Sequence, residues 1–154
     1  MRNPSILDLC SGKGGDLKKW LRKEHMPCHY VGFELSQSAT EEAKRRYEGI
    51  YDNNVPSIFI IGDVGDPNNT IDKLLQNEKF KDIRQEVRFD IVSCQFSMHY
   101  LLESEEKLRA FLHNVSCRLE PEGFFVGTTI DAERVVSKIR TEGGPNMRIG
   151  NSCY

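Results

Sequence analysis

The chain has 154 residues, with 21 Lys plus Arg against 23 Asp plus Glu and a formal net charge of −2. Apolar residues make up 38% and charged residues 29%, a composition typical of one globular domain and not of a disordered chain. The net charge excludes a nucleic-acid binder that relies on overall positive charge. No apolar run approaches the roughly 20 residues of a membrane span, so we expect neither a membrane span nor a signal peptide.

The first third of the chain alternates apolar runs with segments of helical period. They predict, in chain order, a strand at Ile6–Leu9, a helix from Leu17 to Leu21, a strand at His29–Phe33 and a helix that ends at Gly49. Ser38 and Glu41 form the Ser-x-x-Glu pattern of a capping box, so we expect the second helix to begin there. A glycine cluster, Gly12, Gly14 and Gly15, separates the first strand from the first helix.

The alternation continues to about residue 140. The predicted elements are a strand at Ile58–Ile61, a helix marked by Ile71, Leu74 and Leu75, a strand at Phe89–Cys94, a helix from Leu108 to Leu119, a strand at Phe124–Thr129 and a helix capped by Asp131. Pro121 and Gly123 indicate the end of the fourth helix. From Thr141 the composition shifts to Gly, Pro, Asn and Ser, so we expect a domain over residues 1–140 and a loop or frayed tail over 141–154.

Five strands that alternate with five helices predict a doubly wound α/β fold with a parallel sheet. Crossover connections in such sheets are right-handed. Ligands bind at the carboxyl ends of the strands, near the point where the strand order reverses. The functional site is therefore expected just after the first four strands.

Three acidic residues occur at three successive strand ends. Asp8 lies inside the first strand, Glu34 ends the second and Asp63 follows the third. An acid at the place of Glu34 accepts hydrogen bonds from ribose hydroxyls, and Asp63 can accept from an adenine amine. The glycine loop at Gly12 alone is compatible with nucleotides, flavins or a tight turn. Asp8, however, repels a pyrophosphate and attracts a cationic ligand such as S-adenosylmethionine.

The cysteines and histidines do not predict a metal site. The five cysteines show no C-x-x-C spacing and are Cys10, Cys28, Cys94, Cys117 and Cys153. Reduced thiols of an intracellular protein are the expected interpretation. His25, Cys28 and His29 lie close together, but nothing nearby supplies the further ligands that a metal ion needs. We therefore expect no bound metal.

Five sequence blocks occur in order between residue 6 and about residue 140. They are ILDLCSGKGGDLKKW, VGFELSQSATEEAKRRY, FIIGDV, FDIVSCQFSMHY and FFVGTT. Together they closely resemble the mRNA cap guanine-N7 methyltransferase family. The resemblance implies a Rossmann-like class I methyltransferase core with strand order 3-2-1-4-5, truncated before the antiparallel strand pair that completes the sheet in that superfamily.

The resemblance also implies a role for individual residues. It assigns cofactor binding to Asp8, Cys10, Gly12, Glu34, Asp63, Gln95 and Tyr100. It assigns the cap site to Lys19, Arg46 and His99. Cys10 replaces a glycine usual in this loop, and Glu34 replaces the usual aspartate while keeping the carboxylate. No general base is expected, because guanine N7 carries no proton and catalysis can come from positioning and the local field.

The implied activity is transfer of the methyl group of S-adenosylmethionine to N7 of the guanosine cap of mRNA, in the nucleus. The implied partners are the capped mRNA 5′ end and, beyond it, other capping enzymes or RNA polymerase II. This chain would be the cofactor-binding core of a larger protein and inactive alone. The alternatives are methyl transfer to another RNA position or a small molecule, and a cofactor-binding module without activity.

Overall fold

A computed structural model describes residues 3–22, 24, 26–50, 54–68, 71, 88–142, 148–149 and 152–153. The main strands are β1 (Ser5–Leu9), β2 (His29–Glu34), β3 (Ser57–Ile61), β4 (Phe89–Cys94) and β5 (Leu119–Gly127). They form one parallel sheet in the order β3-β2-β1-β4-β5. The predicted doubly wound α/β sheet and its strand order are therefore confirmed.

The helices and a small hairpin complete the described structure. They are α1 (Leu17–Trp20), α2 (Gln37–Glu48), a 3₁₀ helix (Met98–Glu103), α3 (Glu105–Arg118), α4 (Ala132–Glu142) and the antiparallel strands β6 (Arg148–Ile149) and β7 (Ser152–Cys153). The hairpin lies in a segment predicted to be loop. The structure describes only Ile71 of the helix predicted at Ile71, Leu74 and Leu75, and the other residues of that helix lie outside the described residues. None of the helices in the described ranges is long and apolar enough to cross a membrane.

The core lies on both faces of the sheet, because side chains alternate between the two faces along each strand. On one face, strand residues such as Leu7 pack with Phe111 of α3. On the other face, Ile6 and Tyr30 pack with Ala43 of α2. Burial on both faces is typical of parallel sheets, whose strands read as continuous apolar runs.

The sequence prediction for β5 began five residues too late. Leu119 and Phe124 pair with β4 residues that are only two positions apart, so the residues between them bulge out of the ladder. Pro121 and Gly123 lie in this bulge, and Glu122 has a positive φ of 68°. These residues therefore interrupt the ladder of a strand, whereas their composition predicts the end of a helix.

The N-terminal cap of α2 also differs from the prediction. Ser36, which is extended at φ −82° and ψ 118°, is the cap residue. Its Oγ accepts a hydrogen bond from the backbone N of Ala39 at 3.3 Å. The capping box expected at Ser38 and Glu41 is therefore wrong, because the chain already enters the helix after Ser36. The predicted end of this helix at Gly49 is confirmed.

Candidate functional site

Two adjoining cavities open at the carboxyl ends of the first four strands. The first, called the loop cavity, has a volume of about 400 Å³, and its lining includes Asp8, Gly12, Lys13, Asp16, Arg46 and Gln95. The second, called the acid cavity, has a volume of about 260 Å³, and its lining includes Phe33, Glu34, Asp63, Tyr100 and Lys107. Cys10 and Ser97 line both cavities. The site thus lies where the topology of the sheet predicts it.

The structure brings eight of the ten predicted site residues to these cavities. The two exceptions are Lys19 and His99. The side chain of Lys19 is 72% exposed, and its ammonium forms a salt bridge with Asp16. The His99 ring lies against the Tyr100 ring with a centroid distance of 4.2 Å, and its Nδ1 is buried without a hydrogen-bond partner. The cap-site roles of these two residues stay predictions.

A larger cavity lies away from the strand ends. It has a volume of about 570 Å³, and residues of α3 such as Arg109 and His113 line it. It contains none of the predicted site residues, and it does not touch the strand ends or the glycine loop. Its size alone therefore does not make it the candidate site.

Asp8 is a buried carboxylate on the lining of the loop cavity. Its residue is only 3% exposed. Burial raises the pKa of Asp8 from its ordinary value of 3.8 to about 6, while hydrogen bonds from Tyr30 and Ser93 lower it in part. Among the described residues, no cationic side chain forms a salt bridge with Asp8. A buried carboxylate without a countercharge is unfavourable unless a cationic group approaches it, so the cavity suits a cationic ligand.

The indole of Trp20 approaches Asp8 from α1. Its Nε1 is buried and has no hydrogen bond of ordinary geometry. The indole nevertheless contributes to lowering the pKa of Asp8, as do Tyr30 on β2 and Ser93 on β4. Asp8 is therefore surrounded by neutral donors from three elements of the fold.

Glu34 connects the glycine loop to the start of α2. Its Oε2 accepts a hydrogen bond from the backbone N of Gly12 at 2.8 Å. Its Oε1 accepts one from the backbone N of Ser36 at 2.9 Å. A carboxylate has about four lone-pair sites, so each oxygen keeps capacity for a further donor. Glu34 can thus hold the loop and accept two hydroxyl groups of a ligand at the same time.

The glycine loop needs residues that tolerate a left-handed backbone. Cys10, Gly12 and Gly14 have φ values of 56°, 54° and 71°. A Cβ at Gly14 would lie 2.4 Å from Cδ1 of Leu17 and 3.2 Å from Cβ of Ala43. Gly14 is therefore required both by its conformation and by the close approach of the two helices.

Cys10 occupies a left-handed position although it carries a side chain. Contact with the Cys94 thiol and burial raise the pKa of the Cys10 thiol, so it stays protonated. The side chain packs against the apolar cluster that contains Cys94. The left-handed conformation costs a residue with a Cβ roughly 1 kcal/mol or more. The site therefore contains backbone strain at Cys10, where the family resemblance predicts glycine.

We expect Cys10→Gly to be more stable than Cys10→Ala by about 1 kcal/mol, because only glycine relieves the strain while both variants lose the thiol. At ordinary positions the order is reversed, since glycine is usually the less stable residue. Urea unfolding of the two variants would measure the difference. A Cys10→Ala protein at least as stable as Cys10→Gly would show that the strain is negligible.

Gln95 and Asp63 are each held in place by hydrogen bonds. Gln95 Nε2 donates to Ser93 Oγ at 3.2 Å, and Gln95 Oε1 accepts from Thr128 Oγ1 at 3.1 Å. Asp63 Oδ1 accepts from the backbone N of Gly65 at 2.8 Å. These bonds fix the Gln95 amide and the Asp63 carboxylate at the cavity walls, so both groups are oriented before any ligand binds.

Several residues that line the loop cavity had no role assigned from the sequence, among them Asp16 and Phe96. Asp16 belongs to the Gly-Gly-Asp run of the first block, which was a usable signal. Phe96 is 74% exposed and has a positive φ of 55°. Its backbone N donates to Thr128 Oγ1 at 2.9 Å. A left-handed phenylalanine is a conformational outlier of the kind found at functional sites. Phe96 belongs to the block FDIVSCQFSMHY, but nothing in the sequence predicts its left-handed backbone.

Metal ligands do not cluster in the part of the chain that the structure describes. No group of three or more His, Cys, Asp or Glu residues there has the arrangement to hold an ion. Cys28 Sγ lies 3.3 Å from His29 Nδ1. His25 lies outside the described residues.

Comparison with known proteins links the sequence to one family. Residues 1–154 match the family described as mRNA (guanine-N(7))-methyltransferase domain. The chain is 37% identical over 157 aligned residues to mRNA cap guanine-N(7) methyltransferase 1 of Arabidopsis thaliana, covering 97% of this chain and 39% of the Arabidopsis protein. The chain thus spans less than half the length of that relative.

Solved structures show the same fold at low sequence identity. An S-adenosylmethionine-dependent methyltransferase from Clostridium acetobutylicum ATCC 824 has a TM-score of 0.64 and 18% identity, covering 96% of this chain and 50% of that protein. One from Thiobacillus denitrificans, in complex with S-adenosyl-L-homocysteine, has a TM-score of 0.55 and 22% identity, covering 90% and 49%. These likenesses confirm the predicted Rossmann-like fold.

Proposed function

The chain belongs to the mRNA (guanine-N(7))-methyltransferase family, whose methyl donor is S-adenosylmethionine, and on this premise we propose that it binds the donor across the loop and acid cavities. It thereby supplies the cofactor-binding core for methylation of N7 in the guanosine cap of mRNA. The proposed substrate is the capped 5′ end. The nucleus is the proposed location, and other capping enzymes or RNA polymerase II are proposed partners.

The observation that carries this proposal is the row of three carboxylates at the ends of three adjacent strands. Asp8 lies on β1, Glu34 ends β2 and Asp63 follows β3. Asp8 has no countercharge among the described residues and suits the cationic amine and sulfonium end of the donor. Glu34 keeps acceptor capacity for the ribose hydroxyls, and Asp63 suits the adenine amine. The three acids thus match the three polar parts of one cofactor in order.

The chemistry requires positioning more than proton transfer. S-adenosylmethionine, when bound, supplies an electrophilic methyl group. Guanine N7 presents a lone pair without a proton, so the chain needs no general base to receive it. Its task is to hold the acceptor and donor in line at close approach, which is worth several kcal/mol of the barrier. We assign this task to the walls of the loop cavity, including Asp8, Gly12 and Arg46.

Two measurements test the proposal. Calorimetric titration of the chain with S-adenosylhomocysteine and with NAD should show binding of the first ligand and little of the second. Methyl transfer by this protein should require a capped RNA and fail on the same RNA without a cap. Tighter binding of NAD, or equal methylation of uncapped RNA, would refute the assignment.

Arg46 is the proposed cap contact with the strongest structural support. It lines the loop cavity, and its Nε donates to Glu42 Oε1 at 2.8 Å. Lys19 and His99 stay proposed cap contacts, supported by their contacts with Asp16 and Tyr100. Asp16 lines the loop cavity and Tyr100 the acid cavity, so both candidates lie one side chain away from the site.

We expect Arg46→Ala to weaken binding of capped RNA about five- to tenfold, in the range of a lost hydrogen bond of ordinary net strength, because the Arg46 side chain is partly exposed. The affinity for S-adenosylhomocysteine should change by less than about twofold. Arg45→Ala is the matched control, because Arg45 also binds Glu42 but does not line the cavity. Fluorescence anisotropy with a capped oligonucleotide would measure both variants. Equal losses of RNA affinity in the two variants would show that Arg46 acts only through its positive charge.

A further inference from the structure

Tyr30 is a fully buried residue whose hydroxyl ends at the cofactor site. It lies on β2 with 0% exposure, and its hydroxyl donates to Asp8 Oδ2 at 2.9 Å. In the sheet register Tyr30 pairs with Ile6 on β1. Asp8 follows two residues later and therefore points to the same face of the sheet. The tyrosine ring thus lies along the strands and reaches the carboxylate from below the cavity wall.

Gly32 leaves the space that this arrangement needs. Gly32 pairs with Asp8 in the register between β1 and β2. A Cβ at Gly32 would lie 3.2 Å from Cε1 of Tyr30 and 3.1 Å from Oγ of Ser11. The residue beside Asp8 on the neighbouring strand therefore has no side chain, and the ring of Tyr30 takes that space.

No positive charge in the described part of the chain forms a salt bridge with Asp8, although Lys13 and Arg46 line the same cavity. Asp8 interacts with polar or titratable groups from several elements, through hydrogen bonds or through its charge. They are Tyr30 on β2, Ser93 and Cys94 on β4, Trp20 on α1, and Cys10 and Asp16 in the loop. Asp16 carries the same charge as Asp8 and raises its pKa. Among the hydrogen bonds that lower this pKa, the one from Tyr30 contributes most.

We propose that Tyr30 is a positioning residue for the cofactor, because its hydroxyl orients the Asp8 carboxylate toward the cationic end of the ligand. Tyr30 itself is buried beneath the cavity and is not proposed to touch the ligand. Burial raises the pKa of Tyr30 well above its ordinary value, so the hydroxyl keeps its proton and donates. The inference rests on the proposed function, since it assigns Asp8 to the cofactor amine.

The expected signature is a change in the pH dependence of binding. A cationic ligand binds the ionised form of Asp8, so affinity should fall as the pH drops through about 6. Removing the hydroxyl takes away a hydrogen bond to the charged form, which raises the pKa further. The midpoint should therefore move to higher pH, by about one unit for a hydrogen bond of ordinary strength.

The experiment is calorimetric titration with S-adenosylhomocysteine, which carries the cationic amine, between about pH 5 and pH 7, below the pKa of an α-amine. Tyr30→Phe should bind about fivefold more weakly than the unaltered chain near pH 6, and within about twofold of it near pH 7. Tyr47→Phe is the matched control. Tyr47 belongs to the same side of the core, and its hydroxyl donates to the backbone O of Val55 at 2.6 Å, away from Asp8.

The outcomes separate the inference from the proposed function. A pH midpoint for Tyr30→Phe equal to that of the unaltered chain would overturn the positioning role. A uniform loss at every pH, matched by Tyr47→Phe, would also overturn it, because it would show a structural effect alone. Failure of the unaltered chain to bind at any pH would refute the proposed function and the inference with it. A shifted midpoint in Tyr30→Phe alone would support both.

Discussion

Asp8→Asn is expected to reduce cofactor affinity by about 100-fold or more while making the fold more stable at neutral pH. The loss of binding follows because the cationic end of the ligand loses its buried counterion, a change that typically costs 2–5 kcal/mol or more. The gain in stability follows from the pKa of Asp8, which burial raises from 3.8 to about 6. Because the ionised form is disfavoured in the folded protein, its charge destabilises the fold above that pH.

The sign of the stability change in Asp8→Asn, and the pH range in which it occurs, both follow from the raised pKa of Asp8. Below about pH 4 Asp8 is protonated in both the folded and unfolded states, and above about pH 6 it is ionised in both. The shift corresponds to a penalty of roughly 3 kcal/mol at neutral pH. Asparagine keeps an acceptor for Tyr30 but adds an amide group that needs partners, so a net gain of about 1–2 kcal/mol is expected.

Urea unfolding of Asp8→Asn and of the unaltered chain at pH 7 and pH 4 would measure this effect. The free energy of unfolding should be higher for the variant at pH 7, and the advantage should disappear near pH 4, where the penalty is absent. Thermal unfolding with and without S-adenosylhomocysteine gives an independent reading of the binding loss. A variant that is less stable than the parent at pH 7 would contradict the assignment of Asp8 as an uncompensated charge.

Glu34→Ala is expected to weaken cofactor binding by about 1.5–3 kcal/mol, or roughly 10- to 150-fold. The variant leaves the two ribose hydroxyls without a charged acceptor. It also removes the acceptor of the backbone N–H groups of Gly12 and Ser36. The free energy of unfolding should therefore fall as well, by about 1–2 kcal/mol.

Two further variants separate the parts of this effect. Glu34→Gln keeps one carbonyl oxygen, which can accept from Gly12 or Ser36 but not from both, so it should fall between the parent and Glu34→Ala. Glu41→Ala is the control, because Glu41 is exposed on α2 and hydrogen-bonds only Gln37 among the contacts described. Calorimetry should show an unchanged affinity for the control. An unchanged affinity for Glu34→Ala would mean that Glu34 supports the loop and does not bind the ligand.

The first four strands could be predicted to within one residue at each end, for a physical reason. They are buried on both faces, so each appears in the sequence as a short apolar run that ends at a polar residue or a turn. β5 could not be read in this way, because the bulge introduces Pro121, Glu122 and Gly123 into the strand. Local composition there resembles a turn, and only the register with β4 shows that the strand continues.

The acids of the site could be predicted because the topology brings adjacent strand ends to one edge of the sheet. The hydrogen bonds of those acids could not. The bond between Tyr30 and Asp8 joins residues 22 positions apart and depends on the missing side chain at Gly32. The left-handed backbone of Cys10 is also invisible in the sequence, since it depends on how the loop packs. Sequence spacing therefore predicts which residues belong to the site, but it does not predict their hydrogen-bond partners.

Trp20 has a practical consequence for all of these measurements. It is the single tryptophan of the chain, and its indole nitrogen is buried near Asp8. The emission of an indole responds to charges close to its ring, and a cation that enters the loop cavity changes the local field at Trp20. The protein therefore carries an intrinsic fluorophore beside the proposed ligand site. Ligand titrations of every variant that keeps Trp20 can be followed by emission, without a label and on small amounts of protein.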